Sequence, residues 1–133
     1  MQACYTDNAT FSDAVFSNLN AIQVRAMWKM FCLKSESLKI DFCNIMANEK
    51  SGSAQWTATY IFSTTGNNVV NNITANFEFE NGKIIKHIDT FSFYKWSKQA
   101  LGLTGFLLGW PSFVKNKVKK EGMKALQDFM RGE

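Results

Sequence analysis

The chain has 133 residues, of which 46% are hydrophobic, 14% aromatic and 20% charged, and its formal net charge at pH 7 is +4. This length suits one domain, and the apolar fraction excludes an intrinsically disordered or low-complexity protein. No apolar run reaches the roughly 18 residues of a membrane-spanning helix, and the first residues lack the features of a secretion signal. We therefore predict a single domain over residues 1–133.

The first third of the chain predicts a helix end, an extended segment and one full helix. Residues 2–5 are typical of the end of a helix, and the loose alternation of Ala9–Phe16 predicts a short strand. Apolar residues spaced as on one helical face then predict a helix over Ala21–Cys32.

Four strands follow, each marked by alternating apolar and polar residues. Turn residues separate them, and Asn81-Gly82 is the strongest hairpin signal because both central positions of a type I′ turn require positive φ. The predicted strands, which form an antiparallel meander, are Leu38–Met46, Ala54–Phe62, Val69–Phe79 and Lys83–Tyr94.

The last 40 residues predict helices and carry the positive charge. Ser97–Leu101 indicates a helical turn, and Pro111 suits the first position of a final helix, where its missing N–H costs nothing. From Tyr94 onward, eight basic residues stand against three acidic ones, whereas the preceding residues sum to −1. Such a cluster is most often the solvated face of a helix. Helix, antiparallel sheet and helix together predict an α+β fold with the sheet curled over helices.

The cysteines and the histidine limit the possible chemistry. Cys4, Cys32 and Cys43 form no C-x-x-C pair and are odd in number, which favours a reducing, cytoplasmic compartment over a disulfide scaffold. Each has apolar neighbours, so we expect small buried side chains. With His87 as the only histidine and no zinc-type thiolate spacing, we predict no metal and no other cofactor.

The candidate site lies in the last predicted strand. His87 and Asp89 are two residues apart and therefore point to the same face, which also carries Ile85, Phe91 and Phe93. Ionisable groups on an aromatic face must be paired or line a cavity, because an unpaired buried charge is very costly. The pair predicts either an acid/base site in an apolar pocket or a satisfied structural pair.

Three stretches resemble the nuclear transport factor 2-like superfamily, and within it the SnoaL-like branch of polyketide cyclases and ketosteroid isomerase relatives. They are residues 11–16, the helix over 21–31, and residues 77–89 with the string Gly-Lys-Ile-x-x-His-x-Asp. The resemblance covers about Gln2 to Phe93, and the basic tail is similar to an extension found in a bacterial subgroup. It implies a cone-shaped, strongly curved antiparallel sheet wrapped around helices, with an apolar pocket. A homodimer through the outer face of the sheet is also implied.

The resemblance assigns roles to individual residues. Asp13 matches the general-base aspartate of the isomerases, and His87 and Asp89 fall where SnoaL-like cyclases place an acid/base pair. In a hollow cone, core aromatic residues also line the pocket, and a buried tyrosine hydroxyl needs a partner. The expected pocket residues are Trp28, Trp56, Tyr60, Phe77 and Phe91.

Two departures from the family pattern bear on these roles. The isomerase oxyanion acid would fall near Ala75, which has no donor, so that oxyanion hole is not expected. The family's first helix is nearly absent, which indicates that the native chain starts upstream of Met1, or that a partner or the C-terminal segment covers the pocket. Asp13 also has a structural interpretation, as an acceptor of backbone N–H groups beside a turn.

We predict a pocket for a small hydrophobic or carbonyl-containing molecule. If the chain is an enzyme, Asp13, His87 and Asp89 would be its catalytic residues, with the two carboxyls as acid/base groups and His87 orienting them or relaying protons, in isomerase, cyclase or dehydratase chemistry. The alternatives are a non-catalytic binding or dimerisation module, and association with a membrane surface through Phe106–Trp110 and the lysine-rich final helix. Nucleic-acid binding is not expected, because the aromatic residues are placed for a core.

Overall fold

A computed structural model describes residues 2–34, 37–107 and 111–132, with the side chains of residues 103–107 and 111–112 excepted. A short 3-10 turn (Gln2–Cys4) leads into strand β1 (Tyr5–Ser12), which is followed by helix α1 (Ala21–Lys34). The remaining elements are β2 (Lys39–Ala47), β3 (Ser51–Phe62), β4 (Asn67–Glu80), β5 (Lys83–Thr90), α2 (Phe93–Leu107) and α3 (Pro111–Arg131). The predicted α+β class is confirmed.

The five strands form one open sheet in the order β1-β5-β4-β3-β2. Strands β2 to β5 pair antiparallel, as predicted, whereas β1 lies parallel to β5. The predicted antiparallel meander is therefore confirmed, and the parallel β1, which the meander did not include, makes the sheet mixed. The chain leaves β1 through α1 and returns only after three further strands, and such a long crossover can bring a strand back in the same direction.

The N-terminal segment is a strand where the sequence predicted a helix end. Only Gln2–Cys4 is helical, and β1 begins at Tyr5 and ends at Ser12, before the predicted limit of Phe16. The register of β1 on β5 shifts between Tyr5 and Thr10, and this irregularity weakens the alternation that identifies strands.

The last strand is shorter than predicted and contains an irregularity of its own. The register between β4 and β5 shifts after Glu78, so that Ile84 is buried and Ile85 only half-buried. The strand ends at Thr90, and Phe93 is the first residue of α2 rather than a member of the strand face. His87 and Asp89 still point to the same face, because both lie after the register shift in the sequence of β5.

Backbone geometry confirms two local predictions, the turn at Asn81-Gly82 and the helix start at Pro111. Asn81 and Gly82 have φ of 52° and 78°, as a type I′ turn requires. Helix α3 begins at Pro111, and α2 is kinked at Gly102, where φ is 75°. The side chains of the expected apolar edge, Phe106–Trp110, lie outside the described residues.

The core lies between α1, α3 and one face of the sheet, called here the inner face. Its fully buried members include Tyr5, Phe11, Leu19, Val24, Met27 and Leu126. A second cluster joins α2 to β4 through Val69, Trp96 and Ala100. None of the helices among the described residues is both long and apolar enough to cross a lipid bilayer.

The prediction of buried cysteines was wrong. Cys4, Cys32 and Cys43 are all exposed free thiols. Cys4 lies in the N-terminal turn, Cys32 in the last, exposed part of α1, and Cys43 on β2, all nine residues of which are exposed. For Cys43, apolar sequence neighbours did not indicate burial because β2 is an edge strand that none of the described residues covers.

Candidate functional site

A chain of buried hydrogen bonds joins α1, β1 and β5. The Trp28 Nε1–H donates to the Tyr5 hydroxyl over 2.8 Å, and that hydroxyl lies 2.8 Å from His87 Nδ1. On the other side of the ring, His87 Nε2 lies 2.7 Å from Asp89 Oδ1. Sequence positions 5, 28, 87 and 89 are thus brought into one linear arrangement.

The direction of this chain follows from the donor at its end. An indole nitrogen can only donate, so the Tyr5 oxygen accepts from Trp28 and its own proton points to Nδ1 of His87. Nδ1 is then the acceptor, and the ring hydrogen is on Nε2, where it is donated to Asp89. Every polar atom in the chain is satisfied by the neutral Nε2–H tautomer of His87.

His87 is sealed within aromatic side chains and is only 2% exposed. Its ring centroid lies 4.4 Å from that of Phe77, 4.9 Å from Phe11 and 6.4 Å from the stacked Trp28. Both ring nitrogens are occupied by protein partners. The geometry therefore gives His87 a positioning role: it fixes the orientation of the Asp89 carboxylate.

Asp13 lies beside Asp89 because β1 is parallel to β5. Phe11 pairs with His87 and Ser12 with Ile88, so the next position places Asp13 next to Asp89 on the inner face. Asp13 Oδ1 accepts hydrogen bonds from the backbone N–H groups of Val15 (2.7 Å) and Phe16 (2.6 Å). The structural interpretation of Asp13 is thus confirmed, and the same residue also joins the candidate site.

The environment of Asp13 favours its protonated form. Burial raises the pKa of the Asp13 carboxyl from 3.8 to about 6, against the lowering effect of its two backbone hydrogen bonds. The charge of Asp89 adds to the increase in pKa, which agrees with the adjacency given by the strand register. A carboxyl with a pKa near 6 can gain and lose a proton close to neutral pH.

Each of the two carboxyls has one oxygen held by a hydrogen bond and one for which the described residues provide no partner. The Oδ2 atoms of Asp13 and Asp89 accept no hydrogen bond from the described residues. Within the same part of the chain, only Thr6 Oγ1 is a fully buried side-chain polar atom that lacks a partner.

The five predicted aromatic residues are all half-buried, and they divide into two groups. Trp28 and Phe77 contact His87, and the ring of Trp56 lies 6.0 Å from that of Trp28. Tyr60 and Phe91 instead pack in the second cluster, towards α2. The structure thus brings Trp28 and Phe77 together around His87, with Trp56 packed against Trp28.

The hydroxyl of Tyr60 has a protein partner. It accepts a 2.7 Å hydrogen bond from Trp96 Nε1 and so connects β3 to α2. Burial raises the pKa of the Tyr60 hydroxyl, and the charge of Asp13 contributes in the same direction. Tyr60 is therefore close enough to Asp13 to feel its charge, although it packs in the second cluster.

Small residues form the inner face next to the carboxyls. Asp89 pairs with Ala75 on β4, and Ala75 pairs with Ala54 on β3. Ala75 has no polar side chain, as the sequence indicated, so the position offers no hydrogen-bond donor to a ligand. The two methyl groups occupy little of the space that larger side chains would fill.

Tyr5 is the functional residue that sequence reasoning missed. Its hydroxyl is central to the hydrogen-bond chain, and its side chain is fully buried. The buried residues of β1 are Tyr5, Ala9 and Phe11, which all have odd numbers. Asp13 continues this odd-numbered series. Extending the alternation of β1 back to residue 5 would have placed Tyr5 on the inner face.

Comparison with known proteins agrees with this fold. Residues 1–87 match the SnoaL-like domain family. The chain belongs to that family. No curated protein matches this SnoaL-like chain significantly.

Solved structures show the same fold at low sequence identity. A protein of Catenulispora acidiphila DSM 44928 with a ketosteroid isomerase-like fold, in complex with trimethylamine, is 9% identical, with a TM-score of 0.65 and coverage of 74% of this chain and 78% of that one. A Mycobacterium tuberculosis LEH-like epoxide hydrolase is 18% identical, with a TM-score of 0.62 and 80% of both chains covered. A protein of Jannaschia sp. CCS1, named as a SnoaL-like polyketide cyclase, is 11% identical, with a TM-score of 0.64 and 74% of both chains covered. The SnoaL-like chain therefore has the nuclear transport factor 2-like fold.

Proposed function

We propose that this SnoaL-like domain binds a small hydrophobic, carbonyl-containing molecule over Asp13 and Asp89 and transfers protons to and from it. The observation that carries the proposal is the pair of adjacent carboxyls, each with one oxygen that has no partner in the described part of the chain, and one with its pKa raised to about 6. The ring of Trp28 stacks on His87 and packs against Trp56, and we take these two rings as the apolar surface of the site. Polar groups converging on an apolar surface are typical of small-molecule sites.

The proposed chemistry is proton transfer next to a carbonyl. Ionised Asp13 takes a proton from the carbon beside the ligand carbonyl, which leaves an enolate, and the proton is returned to the same or a conjugated carbon. A pKa near 6 suits both steps, because the carboxyl is mostly ionised at neutral pH and is still basic enough to accept a proton. Asp89, held by His87 and Tyr5, is the second acid/base group.

The similar structures support this class of chemistry. Two of them carry names from carbonyl chemistry: a ketosteroid isomerase-like fold and a SnoaL-like polyketide cyclase. The epoxide hydrolase shows that the same fold also holds other reactions. We therefore base the proposed ligand on the residues of the site, and the names of the similar proteins only add support.

A hydrogen–deuterium exchange experiment tests the proposal. 1-Indanone, an apolar ketone with exchangeable α-protons, is incubated in D2O with the protein, and the loss of α-protons is followed by NMR. We expect the protein to accelerate exchange over buffer, and Asp13→Asn to lower that acceleration by at least about 100-fold, the size of a general-base effect. Asp128→Asn is the matched control, because Asp128 is an exposed carboxyl on α3. Equal rates for the protein and Asp13→Asn would contradict proton transfer by Asp13.

A binding module without turnover is the second candidate. It is favoured by Ala75, which leaves the position beside Asp89 without a donor for an enolate oxygen. Quenching of tryptophan fluorescence by 1-indanone measures binding separately from exchange. Binding that persists in the Asp13→Asn/Asp89→Asn double variant, with no exchange catalysed by the native protein, would favour the module.

A further inference from the structure

One buried polar side chain of the inner face has no hydrogen-bond partner. Asn71 is 8% exposed, and its side-chain amide makes no hydrogen bond with the described residues. Its neighbours on the same face of β4, Val69 and Ile73, are both buried and apolar. A buried amide without partners costs free energy, and native proteins satisfy nearly all such groups. Asn71 therefore points to a partner that the described residues do not supply.

The hydroxyl of Tyr60 offers a hydrogen-bond donor beside Asn71. Tyr60 pairs with Val69 on β4, and Asn71 is two residues further along that strand. Such diagonal neighbours are about 7 to 8 Å apart, within reach of a long aromatic side chain. The Tyr60 oxygen accepts from Trp96 Nε1, and the hydroxyl hydrogen has no acceptor among the described residues. Tyr60 can therefore donate, whereas an amide such as that of Asn71 can both donate and accept.

Small side chains lie between this pair and the carboxyls. Ala58 lies directly opposite Asn71. Further along the sheet, Ala54 lies opposite Ala75, which in turn pairs with Asp89. Four residues of β4 separate Asn71 from Ala75, a distance of about 13 Å along the strand. An elongated apolar molecule that lies over these alanines would thus meet polar groups at both of its ends.

We propose that Asn71 and Tyr60 bind a hydroxyl group of the ligand, at the end opposite to the carbonyl that lies over Asp13 and Asp89. The Tyr60 O–H donates to the ligand hydroxyl oxygen, and the ligand hydroxyl donates its own hydrogen to Asn71 Oδ1. A hydroxyl fits this pair because it accepts and donates at once, whereas a carbonyl or ether oxygen only accepts. The inference rests on the proposed function, and it narrows the ligand to elongated apolar ketones with a distal hydroxyl.

Isothermal titration calorimetry with two matched ketones tests this second polar site. 4-(4-Hydroxyphenyl)cyclohexanone and 4-phenylcyclohexanone differ only in the distal hydroxyl. The two oxygens of the hydroxyl compound are about 10 Å apart, which suits strand positions about 13 Å apart because the side chain at each end occupies part of the span. We expect the native protein to bind the hydroxyl compound about tenfold more tightly, or more.

Variants at Asn71 should remove this preference. Asn71→Leu and Asn71→Ala both delete the amide, and Asn71→Ala adds no bulk, so it should bind 4-phenylcyclohexanone with the native Kd. Tyr60→Phe removes the donor and should reduce the preference for the hydroxyl compound. Asn76→Leu is the matched control, because Asn76 is exposed on the other face of the same strand. It should leave both Kd values unchanged.

The melting temperature without ligand separates a binding role from a structural one. Asn71→Leu should melt no lower than the native protein, because the amide makes no hydrogen bond with the described residues. A fall of more than about 5 °C that Asn76→Leu does not show would make Asn71 a structural residue and overturn the inference.

Two binding results would also overturn the inference. They are equal Kd values of the native protein for the two ketones, and a preference that survives both Asn71 variants, in which case Asn71 holds an ordered water only. Failure of the proposed function gives a different result. A native protein that binds neither ketone would overturn the proposed ligand itself. Preference for the hydroxyl compound without α-proton exchange in either ketone would contradict proton transfer by Asp13 and still support binding by Asn71.

Discussion

The hydroxyl of Tyr5 and Nδ1 of His87 lie 2.8 Å apart, although 82 residues separate them in the chain. This contact gives a residue at the start of β1 control over the tautomer of the only histidine. Because His87 Nε2 is bonded to Asp89, Tyr5 also determines how that carboxylate is held. The candidate site is thus oriented from the N-terminal strand.

Replacing Tyr5 with phenylalanine should disrupt this chain with little change in shape. Tyr5→Phe leaves both the Trp28 Nε1–H and His87 Nδ1 without their partner. Unsatisfied buried polar groups cost about 1 to 3 kcal/mol each, so we expect the free energy of unfolding to fall by about 2 kcal/mol or more. Urea denaturation measures the loss.

The tautomer of His87 can be checked directly, since the chain has one histidine. Nitrogen-15 NMR of the native protein should show the neutral form with hydrogen on Nε2. A spectrum with the hydrogen on Nδ1 would contradict the direction of the chain deduced from Trp28.

Asp13→Asn should stabilise the protein at neutral pH. The folded state raises the pKa of the Asp13 carboxyl from 3.8 to about 6, mainly through burial. Between about pH 4 and pH 6 the folded state therefore binds more protons than the unfolded state, and native stability falls as pH rises. Asparagine keeps an acceptor for Val15 and Phe16 but does not titrate. We expect a gain of about 2 kcal/mol at pH 7, after discounting for partial solvent contact.

Urea denaturation between about pH 4 and pH 7 measures this difference. The stability gained by Asp13→Asn should fall nearly to zero at the lowest pH of this range, where the Asp13 carboxyl of the native protein is largely protonated in both the folded and the unfolded state. Asp13→Ala is the matched control, because it removes the acceptor as well as the charge. A pH profile of Asp13→Asn parallel to the native one would contradict the raised pKa.

Gly52→Ala should destabilise the junction of β2, β3 and β4. A Cβ at Gly52 would lie 2.9 Å from Cε2 of Phe79 and 3.2 Å from the backbone oxygen of Met46. The ring can shift but the backbone oxygen cannot move freely, so we expect a loss of about 1 to 3 kcal/mol, as for other overpacked sites. Thermal unfolding measures it, with Ser53→Ala on the opposite face as the control. An unchanged melting temperature would show that Phe79 does not pack against this strand.

Tyr60→Phe should weaken the attachment of α2 to the sheet. The change removes the acceptor of the Trp96 Nε1–H bond, and we expect a loss of about 1 to 2 kcal/mol. A double-mutant cycle with Trp96→Phe isolates the hydrogen bond from packing, and a coupling of about 1 kcal/mol is expected. Strict additivity of the two changes would show that the bond contributes nothing.

The local features of this protein could be predicted from sequence because they depend on short-range geometry. The spacing of His87 and Asp89 fixed their shared face, since side chains alternate along any strand. Asn81-Gly82 identified its turn, because few other residues adopt positive φ at low cost. Pro111 likewise marked the start of α3.

What only the tertiary structure decided was which distant segments meet. The parallel pairing of β1 with β5 brings Asp13 to Asp89 and Tyr5 to His87, and no periodicity within one strand specifies its neighbour in the sheet. Cys43 is exposed because β2 lies at the edge of the sheet, and the sequence of β2 does not specify that position. Residue spacing determines the face of a strand, whereas the order of strands depends on packing over the whole chain.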